Sequence, residues 1–210
     1  MIASAHNPRP FVAGSSGWTA SDLEKPRIAR LWDQANFELI DGVLTTMPPA
    51  YYDGQKRLRR LTTIIERHLE KVGRASEQFA FEIDIILSDL RVPKADAVLL
   101  TPDDERRQRE ANKRRGRVKL TYGRILVPPT LLIESISIGH EKHDEVLKRG
   151  WYARAGIPNY WIFDPFRKSL TCLVLEGKKY RTDQAGKNNA KLHPSLFPGL
   201  EIPLGQIWRD

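Results

Sequence analysis

Apolar and polar positions follow two different periods along this chain, and the change of period predicts a series of helices and strands. Between residues 56 and 74, apolar side chains recur three or four positions apart, as on one face of a helix. Over 79–87 they alternate with polar ones, as in a half-buried strand. Residues 37–47 hold two short apolar runs around Asp41–Gly42, which is typical of a β-hairpin.

The later segments predict a mixed sheet. Residues 131–137 are apolar on both faces apart from Glu134 and the serines, which indicates a central strand covered on both sides. The charged segment 102–119 has no clear period and is predicted to be a long surface excursion. Further predicted elements are helices over 26–36 and 141–155, and strands over 91–100, 159–164, 169–176 and near Tyr180. This order predicts an α/β or α+β sandwich with a central mixed sheet flanked by helices and an N-terminal β-hairpin extension.

Composition adds expectations about domains and compartment. Residues 1–25 are polar and rich in Gly, Ser and Pro, which predicts a flexible arm, and we expect 26–210 to form a single domain. No apolar run approaches the roughly 18 residues of a membrane helix, and the first residues lack the apolar region of a signal peptide. Cys172 lies in an alternating apolar run and is expected to be a packed core thiol. A cytoplasmic protein without membrane contact is the resulting expectation.

The net charge of +8 is concentrated in two segments. Residues 56–74 hold seven Lys or Arg against two Glu, and residues 103–119 hold eight basic against four acidic residues. Such clustering suits a polyanion such as DNA or RNA, although two solvated basic faces without a partner explain the charge equally well. On the first interpretation, the residues of the basic helix expected to contact nucleic acid are Lys56, Arg57, Arg59 and Arg60.

Glu134 is the residue whose surroundings say most about function. It interrupts the apolar run of the predicted central strand, and an unpaired buried charge is costly. A cation, a metal ion or a shift in protonation usually compensates such a carboxylate. The alternatives are a strand end that faces solvent or a buried ion pair with an arginine. Glu134 is therefore a candidate catalytic and metal-binding residue.

Asp96 and Lys148 are weaker candidates when each is considered alone. Asp96 lies at the start of an apolar strand, where an aspartate is most often a solvated turn residue. If its strand neighbours that of Glu134, both carboxylates lie at a common edge, and such hard oxygen ligands suit Mg²⁺ or Mn²⁺. Lys148 would share a helix face with Asp144 and Tyr152, which could support the site. An ordinary salt bridge on a wet surface also explains that spacing.

Taken together, these segments resemble a known family. ELIDG (38–42), the strand bearing Asp96, LLIESIS (131–137) and HDEVLKRGWYARAGIPNYWIFDP (143–165) are similar to the Uma-type "putative restriction endonuclease" family. That family belongs to the PD-(D/E)XK nuclease superfamily, and the similarity covers roughly residues 30 to 205. The resemblance implies a PD-(D/E)XK nuclease-like fold and a metal-dependent phosphodiesterase.

The resemblance also implies roles for individual residues. It makes Asp96 and Glu134 metal ligands, with Glu38 of the hairpin completing the acidic cluster. The third position of the E-x-K pattern is Ile136, so a lysine cannot act from the strand. The family lysine then corresponds to Lys148, on the following helix.

Some positions depart from the family pattern. PPAYYDGQK (48–56) lacks the histidine that often follows the hairpin, and Ser137-Ile138-Gly139-His140 replaces the usual Ser-Pro-Ser-Thr. His140 and His143 could suggest a metal pair. In a polar loop of a chain with one cysteine, surface histidines are the better interpretation, and zinc is not expected.

The sequence therefore favours a Mg²⁺- or Mn²⁺-dependent endonuclease that hydrolyses phosphodiester bonds in DNA. The alternative, favoured by the departures, is a catalytically impaired nuclease fold that binds nucleic acid or a protein. A glycosidase built on the two carboxylates has no support from the basic charge balance or the lysine. By analogy with enzymes that cut both strands, a homodimer is possible.

Overall fold

A computed structural model describes residues 9–47, 51–114, 123–137 and 143–209, without the side chains of 143–146. The chain divides into two compact units. The first comprises Met1–Met47 and Ile86–Pro93, and the second comprises Pro48–Ile85 and Lys94–Asp210. None of the described helices is long and apolar enough to cross a membrane.

The first unit is built on the predicted hairpin. Its elements are a 3₁₀ turn (Asp22–Glu24), helix α1 (Pro26–Gln34) and strands β1 (Phe37–Ile40) and β2 (Val43–Thr46). The two strands pair in an antiparallel manner, and Asp41 and Gly42 both have positive φ angles, of 49° and 79°. That conformation matches the right-handed twist of the strands, and an Asp–Gly pair adopts it at little cost.

Part of the predicted arm belongs to the core of this first unit. Trp18, Ala20 and Leu23 are buried there and pack with residues of α1, the hairpin and Val92. Residues 9–25 thus contribute apolar side chains where the Gly-, Ser- and Pro-rich composition predicts a loose segment. The composition conceals them because only a few apolar residues are spread through a polar stretch.

The second unit contains the main sheet. In chain order its elements are α2 (Tyr52–Lys71), β3 (Gln78–Asp84), β4 (Lys94–Leu100), α3 (Pro102–Arg114), β5 (Leu131–Ser135), α4 (His143–Arg154), β6 (Asn159–Asp164), β7 (Ser169–Glu176), β8 (Lys179–Lys187), β9 (Lys191–Leu192), β10 (Ile202–Pro203) and α5 (Leu204–Ile207). Within the described residues, one sheet has the order β3-β4-β5-β6-β7-β8. Only β5 and β6 run parallel; the other neighbours are antiparallel. The predicted central position of β5 is confirmed.

The apolar face of α2 covers the sheet. Its side chains Leu58, Leu61, Ile65 and Leu69 are buried, at the helical spacing seen in the sequence. They join a core formed with residues of β4, β5, β6 and β7 and of the C-terminal segment, in which Cys172 is also buried. Burial raises the pKa of the Cys172 thiol well above its usual range, as expected for a core residue. The mixed sheet flanked by helices agrees with the predicted fold class.

Residues 102–114 correct the prediction of a surface excursion, because they form helix α3. Few of its residues are apolar, so its sequence shows no hydrophobic period. Instead, Thr101 and Asp104 form a capping box: the Thr101 N–H donates to Asp104 Oδ2 at 3.0 Å, and the Asp104 N–H donates to Thr101 Oγ1 at 3.2 Å. Ion pairs between Asp103 and Arg107 and between Glu105 and Arg109 add support along the helix. Residues 115–119 lie outside the described part.

Candidate active site

Asp96 and Glu134 lie on neighbouring strands. β4 and β5 pair in an antiparallel manner, with Ala97 opposite Ile133. Asp96 and Glu134 are each one residue beyond that pair, so continuing the register brings them level with each other. The predicted adjacency of the two strands is therefore confirmed. The two candidate carboxylates therefore lie at the same place, on adjacent strands in the central part of the sheet.

Glu134 is buried and held by two residues of α4. The hydroxyl of Tyr152 donates a hydrogen bond to Glu134 Oε1, and Lys148 Nζ lies 3.6 Å from the same oxygen. The side chains of Glu134 and Lys148 are only 11% and 13% exposed. Lys148 therefore helps to compensate the buried charge, a role for which the sequence suggested an arginine as one alternative. Lys148 and Tyr152 therefore lie on one face of α4, as predicted, and this face is directed towards β5.

Asp96 makes a different set of contacts. Its Oδ2 accepts a hydrogen bond from the Ser135 N–H at 2.6 Å, which ties β4 to the residue following Glu134. The half-buried side chain also faces a cavity of about 210 Å³. The other residues that line this cavity are Gln55, Leu58, Arg59, Phe81 and Glu82. Asp96 therefore connects the Glu134 strand to a space bordered by α2 and β3.

The cavity contains two polar residues that the sequence did not single out. Glu82 has a φ of 49° and lies opposite Asp96 in the register of β3 with β4, since Phe81 pairs with Ala97 and Ile83 with Ala95. Gln55 donates a hydrogen bond from Nε2 to Glu82 Oε1. In the alternating strand pattern, Glu82 is indistinguishable from a solvent-facing polar residue. A positive φ at a non-glycine residue is strained, and such strain often accompanies functional sites.

The four basic residues predicted to bind nucleic acid have different surroundings. Arg57 donates to the Pro165 carbonyl at 2.9 Å, and Arg60 donates to the carbonyls of Ile207, at 3.1 Å, and Arg209. Those two guanidinium groups therefore hold distant main chain together. Lys56 is exposed. Arg59 lies over the Phe81 ring, 3.8 Å from its centre, and borders the Asp96 cavity.

The remaining predicted site residues lie in the other unit or have side chains outside the described part. Glu38 is 6% exposed and belongs to the first unit, so its place in the acidic cluster stays a prediction. Asp144 and His143 have side chains outside the described part, and His140 lies outside it entirely. Among the described residues, no three His, Cys, Asp or Glu side chains are grouped closely enough to hold a metal ion.

The donor chemistry at Asp96 and Glu134 nevertheless fits a magnesium ion. Mg²⁺ is usually bound by one or two carboxylates and keeps several of its waters, so it does not need a cage of protein ligands. Two carboxylates on adjacent strands, level in register, supply that minimal set. Zinc would call for histidine or cysteine ligands, and Cys172 is buried in the core.

The six-stranded mixed sheet flanked by helices makes this an α+β protein, with Asp96 and Glu134 level on its adjacent strands β4 and β5. The chain is similar to the crystal structure of a putative nuclease belonging to DUF820 from Anabaena variabilis ATCC 29413, with a TM-score of 0.63 and 14% sequence identity. The match covers 82% of this chain and 89% of that chain. Residues 27–205 match the Uma2 family, described as "Putative restriction endonuclease", and the chain belongs to this family. A comparison with curated proteins gives no match.

Proposed function

We propose that this protein is a metal-dependent endonuclease that hydrolyses phosphodiester bonds in DNA. The observation that carries the proposal is the buried Glu134 carboxylate, contacted by Lys148 and Tyr152 and level with Asp96 on the next strand. A buried carboxylate close to a lysine is expensive to maintain for stability alone, because apolar residues of similar volume usually pack as well. Membership of the Uma2 family supports the same interpretation.

Each residue of the group would have a distinct role. Asp96 and Glu134 would hold the ion, and a bound Mg²⁺ or Mn²⁺ would supply Lewis-acid stabilisation of the phosphate and a more acidic water. Lys148 would orient the attacking water and stabilise negative charge that develops on the phosphate. The Tyr152 hydroxyl would fix the rotamer of Glu134, as hydrogen bonds to metal-binding carboxylates commonly do. The Ser135 N–H would do the same for Asp96.

The direct test is a cleavage assay with the purified chain. Supercoiled and linear DNA should be cut in the presence of Mg²⁺ or Mn²⁺ and left intact in EDTA, because the two carboxylates alone provide no electrophile for the phosphate. Adding back excess Mn²⁺ to the chelated protein should restore cutting. Cutting that continues in EDTA would contradict the proposal.

Arg59 is the basic residue best placed to contact the DNA backbone, because it borders the cavity that Asp96 faces. We expect Arg59→Gln to weaken DNA binding and to reduce the slope of log affinity against log salt by about 0.9, the change for one lost phosphate contact. Arg60→Gln is the matched control. Since Arg60 binds main-chain carbonyls, that change should lower the melting temperature and leave the salt slope unaltered. Equal slopes for wild type and Arg59→Gln would exclude the assigned contact.

The second candidate is a nuclease fold that binds nucleic acid or a protein without cutting. It is favoured by the departures from the family pattern in residues 48–56 and 137–140. Calorimetry separates the two candidates. Binding of Mn²⁺ that disappears in Asp96→Asn supports the enzyme, whereas a chain that takes up no Mn²⁺ supports the binding module.

A further inference from the structure

Three exposed aromatic residues lie at the start of α2, where two are consecutive in the chain, and in the turn after β6. We call Tyr51, Tyr52 and Phe166 the aromatic corner. Their residues are 53%, 79% and 36% exposed. The rings of Tyr51 and Phe166 contact each other, with centres 5.4 Å apart and planes tilted by 39°. Single exposed apolar residues are ordinary on protein surfaces, but a group of aromatic ones usually marks a place where something binds.

The corner is held rigidly from beneath. Arg57 reaches from α2 to the Pro165 carbonyl, and α2 packs against this turn at Gly54, where a Cβ atom would be in ordinary van der Waals contact with Pro165 Cγ, at 3.5 Å. The Asp164 Oδ1 atom accepts hydrogen bonds from the N–H groups of Phe166, at 3.0 Å, and Arg167, at 2.8 Å. The rings therefore project from fixed main chain, which lowers the entropy lost when a ligand binds.

The charge around the corner is predominantly positive. Lys56, Arg167 and Lys168 are exposed beside it. Two acidic residues adjacent to the corner in sequence have partners: Asp164 is buried and lies 3.5 Å from Arg167, and Asp53 accepts a hydrogen bond from the Tyr51 hydroxyl at 3.4 Å. Exposed aromatic rings surrounded by cations suit a polyanion with aromatic groups, such as the bases of a nucleic acid.

The corner lies next to the candidate active site on the same framework. The Gln55 N–H donates to the Tyr51 carbonyl at 3.0 Å, so the two residues are one helical turn apart, and Gln55 lines the Asp96 cavity. On the sheet, Ser135 pairs with Phe163, two positions before the turn that begins at Pro165. The corner is thus one helical turn from a residue that lines the cavity, close to where a bound nucleic-acid strand would lie.

We propose that the aromatic corner stacks an unpaired base, so that the substrate class is nucleic acid with a single-stranded segment close to the bond that is cut. Bases in a duplex are stacked on each other and cannot present their faces to side chains, whereas unpaired bases stack on aromatic rings with little dependence on sequence. This inference rests on the proposed function, since it places the corner beside the site of cleavage.

The test measures binding in EDTA, where cleavage cannot interfere. Fluorescence anisotropy compares a (dT)₂₀ strand, the same strand with abasic sites at its centre, and a blunt duplex of equal length. Tyr52→Leu and Phe166→Leu remove a ring but stay apolar, and we expect each to lower affinity for (dT)₂₀ about 5- to 100-fold, the range for one lost stacking contact. Tyr52→Phe keeps the ring and should bind as wild type does.

Two controls separate stacking from charge and from damage to the fold. Val72→Ala changes an exposed apolar residue at the other end of α2 and should not alter affinity. The abasic strand keeps its phosphates, so wild type should bind it less tightly than (dT)₂₀, and this difference should be smaller in each leucine variant, which keeps the other rings. Equal affinity of wild type for the two strands, or an equal loss of duplex binding in the leucine variants, would overturn the proposal.

The outcome is distinguishable from failure of the proposed function. A wild-type chain that binds (dT)₂₀ through the corner but cuts nothing with Mn²⁺ would refute the nuclease and leave the stacking site standing. A chain that cuts blunt duplex, with leucine variants indistinguishable from wild type on every substrate, would support the nuclease and refute the stacking site.

Discussion

Replacing Glu134 by glutamine is expected to lower the rate of DNA cleavage by about a thousandfold or more. Glutamine keeps the shape of the side chain and can still accept a hydrogen bond from the Tyr152 hydroxyl, but it removes the negative charge that would hold the metal. Metal stabilisation of a phosphoryl transition state contributes several kcal/mol, and each 1.36 kcal/mol corresponds to about tenfold in rate. Single-turnover cleavage at saturating Mn²⁺ measures the effect on the chemical step.

Tyr152→Phe is the matched control for this change. It removes only the hydroxyl that donates to Glu134 Oε1, so the charge proposed to bind the metal remains while its orientation is less fixed. We expect a rate loss of about 10- to 100-fold, the range found for residues that orient metal ligands. Glu134→Gln protein that keeps its melting temperature and still cuts at the wild-type rate would refute the assignment of Glu134.

Lys148 distinguishes a structural ion pair from a catalytic one. If the lysine only neutralises Glu134, then Lys148→Met combined with Glu134→Gln should fold as well as wild type, since both buried charges disappear together. The single change Lys148→Met should be less stable than the double variant, because it leaves Glu134 without its lysine. If Lys148 also acts on the phosphate, activity stays lost in Lys148→Met even at saturating Mn²⁺.

The fold could be predicted from sequence wherever one face of an element is apolar. The helical spacing of Leu58, Leu61, Ile65 and Leu69 and the unbroken run of β5 arise from burial, and burial imposes periods that a sequence displays. Helix α3 could not be found in this way, because it is stabilised by a capping box and side-chain ion pairs rather than by an apolar stripe. The Thr101–Asp104 spacing, with Pro102 between them, was the available signal.

The site was predictable only in part for a related physical reason. Glu134 is recognisable from sequence because it interrupts an apolar run, and the residues of that run are buried with it in β5. Arg57 and Arg60 bind carbonyls 108 and 147 positions away, contacts that no local pattern encodes. The positive φ of Glu82 depends on the pairing of β3 with β4, so its place beside Asp96 emerges only from the fold. The sequence therefore predicted that this helix is basic, but it could not show which of its arginines borders the cavity.

The largest effect on stability is expected from Asp104→Ala, with a loss of about 3 kcal/mol in the free energy of unfolding. Asp104 is 1% exposed and joins the start of α3 to the start of β5. Its Oδ2 accepts hydrogen bonds from the N–H of Thr101 at 3.0 Å, the N–H of Thr130 at 3.0 Å and the Thr130 hydroxyl at 2.6 Å, while Arg107 contacts Oδ1. Alanine would leave these partly buried donors without this acceptor. Urea unfolding at pH 7 measures the loss.

The pH dependence provides an independent check on the same residue. Burial by itself raises the pKa of Asp104, but the hydrogen bonds from Thr130 and Thr101 and the contact with Arg107 outweigh it and hold the pKa below its usual value of 3.8. A group whose pKa is lower in the folded state stabilises the fold above the unfolded-state pKa, and this contribution is lost as the pH falls through the folded-state pKa. Wild type should therefore lose stability below about pH 4.

Asp104→Asn tests whether the charge or the hydrogen bonds carry this stability. The amide oxygen can still accept from Thr101 or Thr130, but the group no longer titrates, so the variant should be destabilised at pH 7 and lose less additional stability between pH 5 and 3 than wild type. Because Thr130 immediately precedes β5, loosening this junction frees the end of the strand opposite to Glu134. Parallel urea titrations that show the same acid-induced loss in wild type and Asp104→Asn would place the titrating group elsewhere.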